Sequence, residues 1–334
     1  MMRCVPALIL LAGLCLTLFS SAVAAETTVR VLLTGGNGAR LPQKDEGVER
    51  LAVSTGEVLF GGMQYFGKIE IWRGKNGLYV VNELPLEEYV KGVVSGEVGR
   101  SWDIEALKAQ AVVSRTYVLM QKAYAVSAPV PYDVTSSVLH QVFKGGDVPE
   151  PIARAVEDTR GEILTFDGGP IVAYFHSTSG GITEDAAEVF GKSYPYLKPV
   201  ETNSELSPYF LWQKKIALKD MEKASGVKGL KDIGIDSHTE SGRVRTFSFV
   251  NGSGSTKIAA KTLRQNLGWD KLPSTFVTSI MRDNGAFIIE GRGYGHGVGM
   301  CQWSALQMAR DGKTYRDILS YFYQGTVLQQ YEDR

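Results

Sequence analysis

Cysteine and histidine are scarce in this chain, with three cysteines and four histidines among 334 residues. Cys4 and Cys15 lie near the N-terminus, so after residue 25 only Cys301 remains and no intramolecular disulfide can form there. A small scaffold held together by disulfides is therefore excluded. No histidine or cysteine pair has the H-x-x-x-H or C-x-x-C spacing of a metal site, although a zinc site built from separate loops stays open.

The chain also lacks an excess of either charge. It has 36 Lys and Arg against 36 Asp and Glu, and its formal net charge is zero. Because a field of one sign is absent at the level of the whole chain, we predict no nucleic-acid partner, although a local basic cleft stays open. With 44% hydrophobic residues the chain can bury a large core without a metal or disulfide staple.

The first 25 residues have the layout of a secretory signal peptide. A short cationic start at residues 1–3 precedes an apolar run over residues 5–19. Small residues with an A-x-A pattern follow over residues 20–25. We therefore predict cleavage near Ala24 or Ala25.

This cleavage would leave residues 26–334 as an exported protein of the periplasm or cell wall. Two alternatives stay open. One is an uncleaved membrane anchor, for which the apolar run is short of the ~20 residues that a span usually needs. The other is a lipoprotein anchor at Cys15, where the preceding Leu14 is bulky. No later segment is apolar and long enough to cross a membrane.

Strand-like and helical patterns succeed one another along the chain, which predicts an α+β fold. We expect a single intertwined domain with a β-rich N-terminal part, a central long helix and a mixed region at 205–285 as a possible subdomain. The predicted elements are a hairpin over 65–81, helices over 86–96, 103–125 and 150–158, a second hairpin over 162–175, strands over 243–250 and 287–289, and a helical tail from Gln302.

Two cations lie on one side of the predicted long helix. At 100° per residue, Lys108 and Arg115 fall close to the apolar positions Ile104 and Ala111. A solvated helix face would not normally carry them there. They either extend past the core to water or point at an anionic group in a cleft, and geometry alone does not separate these alternatives.

Three polar clusters lie far apart in the sequence. The first surrounds Glu97, which is predicted in a glycine-flanked loop over residues 95–102 with an aromatic side chain nearby. A carboxyl group against apolar surface has a raised pKa and can donate a proton near neutral pH. The alternative is an ordinary solvated loop glutamate.

The second cluster is the segment over residues 175–184, which gathers hydroxyls, an imidazole and a glycine pair after a strand. Loops at strand ends often carry binding or catalytic residues. The alternative is a polar turn whose hydroxyls bond their own backbone.

The third cluster has glycine at every second position from 291 to 299, around His296. In an extended segment this pattern leaves one face as bare backbone, which allows close approach of a chain-like ligand or of another segment. A run of tight turns is the alternative. A phosphate-binding loop is disfavoured because no Gly-Lys-Ser/Thr follows.

Taken together, the segments over 84–97, 102–117, 175–181 and 291–302 resemble the SpoIID/LytB family, in the same order and over nearly all of the mature chain. The resemblance implies a lytic transglycosylase that cuts the glycan strands of peptidoglycan. We expect no cofactor and no bound metal. In sporulation members the preferred strands have lost their stem peptides. Some relatives are described instead as enhancers of an N-acetylmuramoyl-L-alanine amidase, which implies a wall-binding protein without its own activity as the alternative.

The resemblance also assigns roles to residues. Glu97 aligns with the catalytic glutamate of the family. The implied substrate-binding residues on the long helix and the two cleft loops are Lys108, Gln110, Arg115, Tyr117, His176, Ser177, Ser179, His296 and Gln302.

The chain departs from the family pattern in three places. Val98-Gly99 stands where Met-Pro is common, and Cys301 and Trp303 replace the Ser and Tyr of a Met-Ser-Gln-Tyr segment. The loop over 136–141 lacks the Cys-rich spacing of zinc-holding members. These changes put the substrate preference in doubt. Besides the transglycosylase and the amidase enhancer, a third possible function is a thiol or metal hydrolase that uses Cys301 with His296.

Overall fold

The computed structural model describes residues 26–33, 48–74, 77–99, 101–125, 130–137 and 140–331. The predicted signal peptide over 1–25 lies outside the described residues. Within them the chain forms an α+β fold, as predicted, with separate helical and sheet regions. No described helix combines the length and apolar character that crossing a membrane requires.

The N-terminal part is rich in strands, as predicted. Its strands are β1 (Thr28–Leu32), β2 (Glu49–Thr55), β3 (Val58–Phe60), β4 (Met63–Tyr65), β5 (Lys68–Gly74) and β6 (Gly77–Pro85). The predicted first hairpin is confirmed, since β5 and β6 pair antiparallel with Trp72 opposite Tyr79.

Four helices and four short strands follow. They are α1 (Leu86–Glu97), α2 (Ile104–Ala125), β7 (Val134–Thr135), α3 (Glu150–Asp158), β8 (Glu162–Phe166), β9 (Gly169–Pro170), β10 (Phe175–His176) and α4 (Ala186–Phe190). Strand β7 completes a five-stranded sheet in the order β2-β5-β6-β1-β7. The predictions of three helices in this region are confirmed.

The second predicted hairpin is only half right. Strand β8 forms as expected, but it pairs with the two-residue β9 and with a strand from the C-terminus. Residues 171–174 are not a strand, and β10 begins only at Phe175. The reason is that Ile171, Val172 and Ala173 are buried in the core beside α2, where their apolar pattern does not require a partner strand.

The remaining elements form a mixed region and a C-terminal closure. They are β11 (Leu211–Ala217), α5 (Leu218–Ser225), β12 (Asp232–His238), β13 (Val244–Asn251), β14 (Gly254–Ala259), α6 (Ala260–Leu267), β15 (Val277–Asp283), β16 (Ala286–Arg292), β17 (Met300–Cys301), α7 (Gln302–Arg310), α8 (Tyr315–Phe322) and β18 (Val327–Gln330). The predicted strands over 243–250 and 287–289 lie within β13 and β16 with small shifts at their ends, and the helical tail begins at Gln302 as predicted.

Most of helix α2 is enclosed by the rest of the molecule, and only its last turn is exposed. The Asp103 carboxylate caps its start by accepting a hydrogen bond of 2.9 Å from the Glu105 N–H. One side of the helix packs through Val112 and Val113 into a core with α7 and α8, and another packs through Leu107 and Ala111 against α1 and α3. This central position places the polar residues of α2 inside the protein.

The region from β11 to β16 has a hydrophobic cluster of its own. Two three-stranded sheets, β11-β16-β15 and β12-β13-β14, enclose it with α5 and α6. Phe247, Phe249 and Phe287 are among its fully buried side chains. The chain enters and leaves this region beside the two loops that sequence analysis singled out.

Candidate functional site

Glu97 is the last residue of α1, one residue beyond the predicted helix, and not a loop residue. The glycines on either side permit close packing here. A Cβ on Gly96 would lie 2.4 Å from the Val142 carbonyl oxygen, and one on Gly99 would lie 2.4 Å from the Trp102 indole nitrogen. The segment around Val142 therefore lies directly against the end of α1.

This segment holds the Glu97 carboxyl group. The Val142 N–H donates a hydrogen bond of 2.6 Å to Glu97 Oε1. Burial raises the pKa of Glu97, while the Val142 N–H, the Gln302 side chain and the Lys144 cation act in the opposite direction. Because the effect of burial is the largest, the carboxyl keeps its proton to a higher pH than a solvated glutamate.

Two buried amides connect Glu97 to α2. Gln302 is the first residue of α7, and its Nε2 donates to Gln110 Oε1 at 3.3 Å. Gln110 Nε2 in turn donates to Ser114 Oγ at 3.1 Å. Gln302 is 4% exposed and Gln110 is 1% exposed, so these amides fix the side of the site next to Glu97.

The second and third sequence clusters meet through a short parallel pair of strands. In β10 and β17, Phe175 lies opposite Met300 and His176 lies opposite Cys301. Thr178 and Tyr294 form a further antiparallel bridge. Since Cys301 directly precedes Gln302, this pairing brings both loops next to the Glu97 carboxyl.

The bare face of the glycine segment is covered by the chain itself. Gly293, Gly295, Gly297 and Gly299 all have positive φ values, between 70° and 114°. A Cβ on Gly299 would lie 2.0 Å from the Tyr174 carbonyl oxygen, and those on the others would also collide with neighbours. The close approach predicted from the alternating glycines is therefore to another segment, and the path is a series of left-handed turns rather than an extended strand.

His176 and His296 are neighbours, with ring centroids 5.6 Å apart. His176 Nδ1 hydrogen-bonds to the Val298 carbonyl at 3.1 Å, and its buried Nε2 has no partner among the described residues. His296 Nδ1 accepts a hydrogen bond of 3.1 Å from the Val298 N–H. Burial lowers the pKa of His176 well below its usual value and that of His296 to about 3. Both rings are therefore neutral near neutral pH.

The hydroxyls of the second loop mainly bond within the protein. Ser179 is fully buried, and its Oγ pairs with Thr202 Oγ1. Ser177 is partly exposed, with its Oγ 3.2 Å from Thr178 Oγ1. The substrate-binding role predicted for Ser179 thus does not fit its enclosed position, because that hydroxyl holds the loop to residue 202. Ser177 stays a candidate.

Cys301 is an enclosed thiol rather than an exposed nucleophile. Its Sγ accepts a hydrogen bond from the Ser179 N–H at 3.3 Å, and burial raises the pKa of the thiol. A buried thiol of raised pKa is weakly nucleophilic. This arrangement disfavours the thiol hydrolase considered above.

Lys108 and Arg115 lie on the side of α2 away from Gln110 and Tyr117. Arg115 is 0% exposed and binds the Glu87 carboxylate through two hydrogen bonds of 2.9 and 2.7 Å. Lys108 forms ion pairs with Asp158 at 3.1 Å and Glu105 at 3.4 Å. The anions that these cations face belong to the chain itself. Arg115 is too enclosed to contact a substrate, which corrects the role predicted for it, and the role predicted for Lys108 stays a prediction.

A cavity of about 690 Å³ lies next to the two histidine-bearing loops. Tyr117, which burial gives a pKa of about 12, and His296 line one side of it. Sequence analysis gave no role to three other lining residues, His140, Tyr174 and Phe190. Tertiary packing alone brings these three residues to the cavity and the Val142 backbone N–H to Glu97. No pattern in the sequence indicates either.

Among the residues that the structure describes, no three His, Cys, Asp or Glu side chains converge as a metal site would require. The site assembled here consists instead of one carboxyl of raised pKa, two amides and two neutral imidazoles. Such a set can donate and accept a single proton and can orient a neutral polar ligand.

Comparison with known proteins agrees with the order of the motifs. A model of the family described as Stage II sporulation protein matches residues 74–166, and a domain of unknown function (DUF8618) matches residues 196–299. The α1–α3 part of the site lies in the first range, and most of the glycine segment lies in the second.

Full-length relatives cover most of the chain. Stage II sporulation protein D of Bacillus subtilis is 36% identical over 268 residues, which is 75% of this chain and 76% of that protein. An uncharacterized protein of Brachyspira hyodysenteriae is 34% identical over 279 residues, covering 81% and 73%. The amidase enhancer of Bacillus subtilis is 32% identical over 293 residues, covering 72% of this chain but 40% of that protein. The family resemblance is thereby confirmed, and the chain belongs to the SpoIID family.

Proposed function

We propose that this protein is an exported lytic transglycosylase that cuts the glycan backbone of peptidoglycan, and that residues 26–334 form one wall-acting unit. The observation that carries the proposal is the Glu97 carboxyl, whose pKa burial raises while the Val142 N–H and Gln302 hold it in place. A carboxyl that keeps its proton is the general acid that cleavage of a glycosidic bond requires.

In the proposed reaction Glu97 acts twice. Its protonated form donates to the oxygen between N-acetylmuramic acid and N-acetylglucosamine as that bond breaks. The resulting carboxylate then accepts the proton of the muramic C6 hydroxyl, whose oxygen forms a bond to C1 and gives the 1,6-anhydro product. No water is consumed, so a second carboxylate is not needed to activate one.

The neighbours of Glu97 support this cycle. The Val142 N–H and the Gln302 amide stabilise the carboxylate that exists between the two proton transfers. Trp102 and Trp303, in edge contact at 5.2 Å, supply apolar surface near the end of α1.

The test is Glu97→Gln, with Glu88→Gln as the matched control on the exposed side of the same helix. Purified proteins are incubated with isolated glycan strands and with intact sacculi, and products are analysed by mass spectrometry. We expect 1,6-anhydro-muramic products from the wild type and the control, and a loss of roughly 10²–10⁴-fold or more for Glu97→Gln. Full activity of Glu97→Gln would refute the assignment.

A second function is supported by one relative, which is named an amidase enhancer. In that case the protein would bind wall and stimulate an N-acetylmuramoyl-L-alanine amidase without cutting. Incubation with glycan strands alone separates the two functions, since an enhancer releases no anhydro products. A rise in amidase rate that persists in Glu97→Gln would favour the enhancer.

A further inference from the structure

One wall of the 690 Å³ cavity is formed by the exposed side of α6 and by Trp269, which lies just after the end of this helix. This wall comes from the mixed region and contains none of the residues assigned above. Its members are Lys261, Thr262, Arg264, Gln265 and Trp269. The facing wall carries Phe190, Tyr174 and His296, so the cavity adjoins the loops of the candidate site.

Two exposed aromatic rings line the cavity. Phe190 is 41% exposed and stacks on Tyr174, with centroids 4.1 Å apart and an angle of 16° between the rings. Trp269 is 37% exposed, and the Arg264 guanidinium lies 4.4 Å from its centroid. Each ring has a protein group on one face and leaves apolar surface accessible. Such surface suits the C–H face of a sugar ring, because stacking removes apolar area from water while the hydroxyls stay solvated.

The two carboxylates at the cavity have hydrogen-bond partners within the protein. Arg245 binds Glu188 through two hydrogen bonds, one of them 3.0 Å long. Glu184 accepts hydrogen bonds from the Thr239 and Ser241 hydroxyls at 2.6 and 2.8 Å. Both carboxylates therefore have hydrogen-bond partners within the protein, and within the described part of the chain only Glu188 is paired with a cation.

Lys261 is different from the other cations of the cavity. Arg264 donates to the carbonyls of Leu272 and Pro273 at 2.9 and 2.8 Å. Lys261 is exposed and has no ion pair within 4 Å among the described residues. Lys261 acts electrostatically on Glu188, but no carboxylate of the residues that the structure describes binds it directly. The cavity thus combines aromatic surface with an exposed ammonium group that can bind a ligand, and a ligand that satisfies both carries an anion next to a sugar ring.

We propose that this cavity is a sugar subsite in which Lys261 binds a carboxylate carried by a muramic acid unit. The proposal rests on the proposed function, since it takes the glycan strand as the ligand. Two sources supply such a carboxylate: the lactyl group of a unit without its stem peptide, and the stem peptide itself. N-acetylglucosamine has neither, so Lys261 would determine which sugar occupies the subsite and which strands are preferred.

The test measures binding without turnover, in the Glu97→Gln background. Three probes are titrated: peptide-free glycan strands, peptide-bearing strands, and the neutral tetramer of N-acetylglucosamine. We expect Trp269→Ala to weaken all three. Lys261→Ala should weaken at least one muramic probe roughly fivefold and change the affinity for the neutral tetramer by less than about twofold.

The probe that loses affinity identifies the source of the carboxylate. A loss confined to peptide-free strands assigns the lactyl group, and one confined to peptide-bearing strands assigns the stem peptide. Lys257→Ala, which removes an exposed lysine paired with Asp236 at 2.7 Å, is the control and should leave all affinities unchanged. Unchanged melting temperatures verify that each variant folds.

The inference and the proposed function can fail separately. Equal affinity of wild type and Lys261→Ala for both muramic probes overturns the inference, even if the wild type releases anhydro products. Conversely, a selective loss of affinity in Lys261→Ala together with no cleavage by the wild type keeps the subsite and rejects the transglycosylase. The inference would also be overturned if an acidic peptide without sugar bound as tightly as the muramic probes.

Discussion

Burial shifts the protonation of the acid and of the two histidines in opposite directions. An environment that disfavours charge raises the pKa of Glu97 and lowers those of His176 and His296. Near neutral pH the histidines are therefore uncharged hydrogen-bonding groups. The proton for bond cleavage is left to Glu97, which is why the proposed mechanism uses a single titrating residue.

The raised pKa of Glu97 also predicts a pH-dependent effect on stability. Between the ordinary pKa of 4.5 and the raised value, the folded state holds more protons than the unfolded state, so this group's contribution to stability falls as pH rises. Glu97→Gln removes that loss. We expect the variant to gain more in melting temperature over the wild type at pH 7 than at pH 4.

Thermal unfolding at the two pH values measures this, with Glu88→Gln again as control because its side chain is exposed. A variant that is inactive but no less stable than the wild type would mark Glu97 as functional rather than structural, since sites tuned for catalysis often cost stability. A variant less stable at pH 7 than at pH 4, relative to the wild type, would contradict the predicted direction.

At the level of secondary-structure elements, α2 organises the molecule through two polar sides. On one side Gln110 contacts Gln302 next to Glu97. On the other, Arg115 links α1 through Glu87 and also donates to the carbonyls of Glu162 and Val156. This ion pair anchors the start of the helix whose last residue is Glu97.

We predict that Arg115→Met destabilises the protein by about 3–5 kcal/mol, because it leaves the Glu87 carboxylate buried without its partner. The double variant Arg115→Met with Glu87→Leu should recover much of this loss, since it removes both charges. Denaturant unfolding measures both. The control is Arg160→Met, whose exposed pair with Glu157 should contribute at most about 1 kcal/mol. Equal stability of Arg115→Met and wild type would show that the pair does not anchor α1.

Across the described part of the molecule, the buried apolar side chains form several clusters, of which some share contacts and others do not. The cluster with α7 and α8 and the cluster with α1 both contact Trp102 and meet at α2. The cluster of the mixed region has separate members, among them Phe247 and Phe249. We propose that this region is a subdomain that opens on its own.

The corresponding prediction concerns Phe249→Ala, which should cost about 3–5 kcal/mol of local stability. Hydrogen exchange should accelerate over β12–β14, α5 and α6, while α2 keeps its protection, because local opening follows the contacts that are lost. Equal acceleration in α2 would mean that the molecule unfolds as one unit. A matched substitution in the other core, Leu107→Ala, should instead affect α1 and α2.

Local patterns in the chain were sufficient for the α+β class, for the bounds of α1 to α3 within one residue or two, and for the family, because periodicity, helix caps and ordered motifs depend on residues close in sequence. They were also sufficient to single out Glu97, His176 and His296. The predicted first helix ended at residue 96, one residue before Glu97, which is the last residue of α1.

Tertiary structure decided what each of these residues faces. Helical spacing put Lys108 and Arg115 on one side of α2. It did not show that they form ion pairs there with Asp158 and Glu87. The alternating glycines predicted close approach, and only the folded structure showed that residues 174–179 approach Gly293, Gly295 and Gly299 while Arg243 approaches Gly297. The partners of a side chain come from distant segments, and burial, which sets the Glu97 pKa, exists only after those segments have packed together.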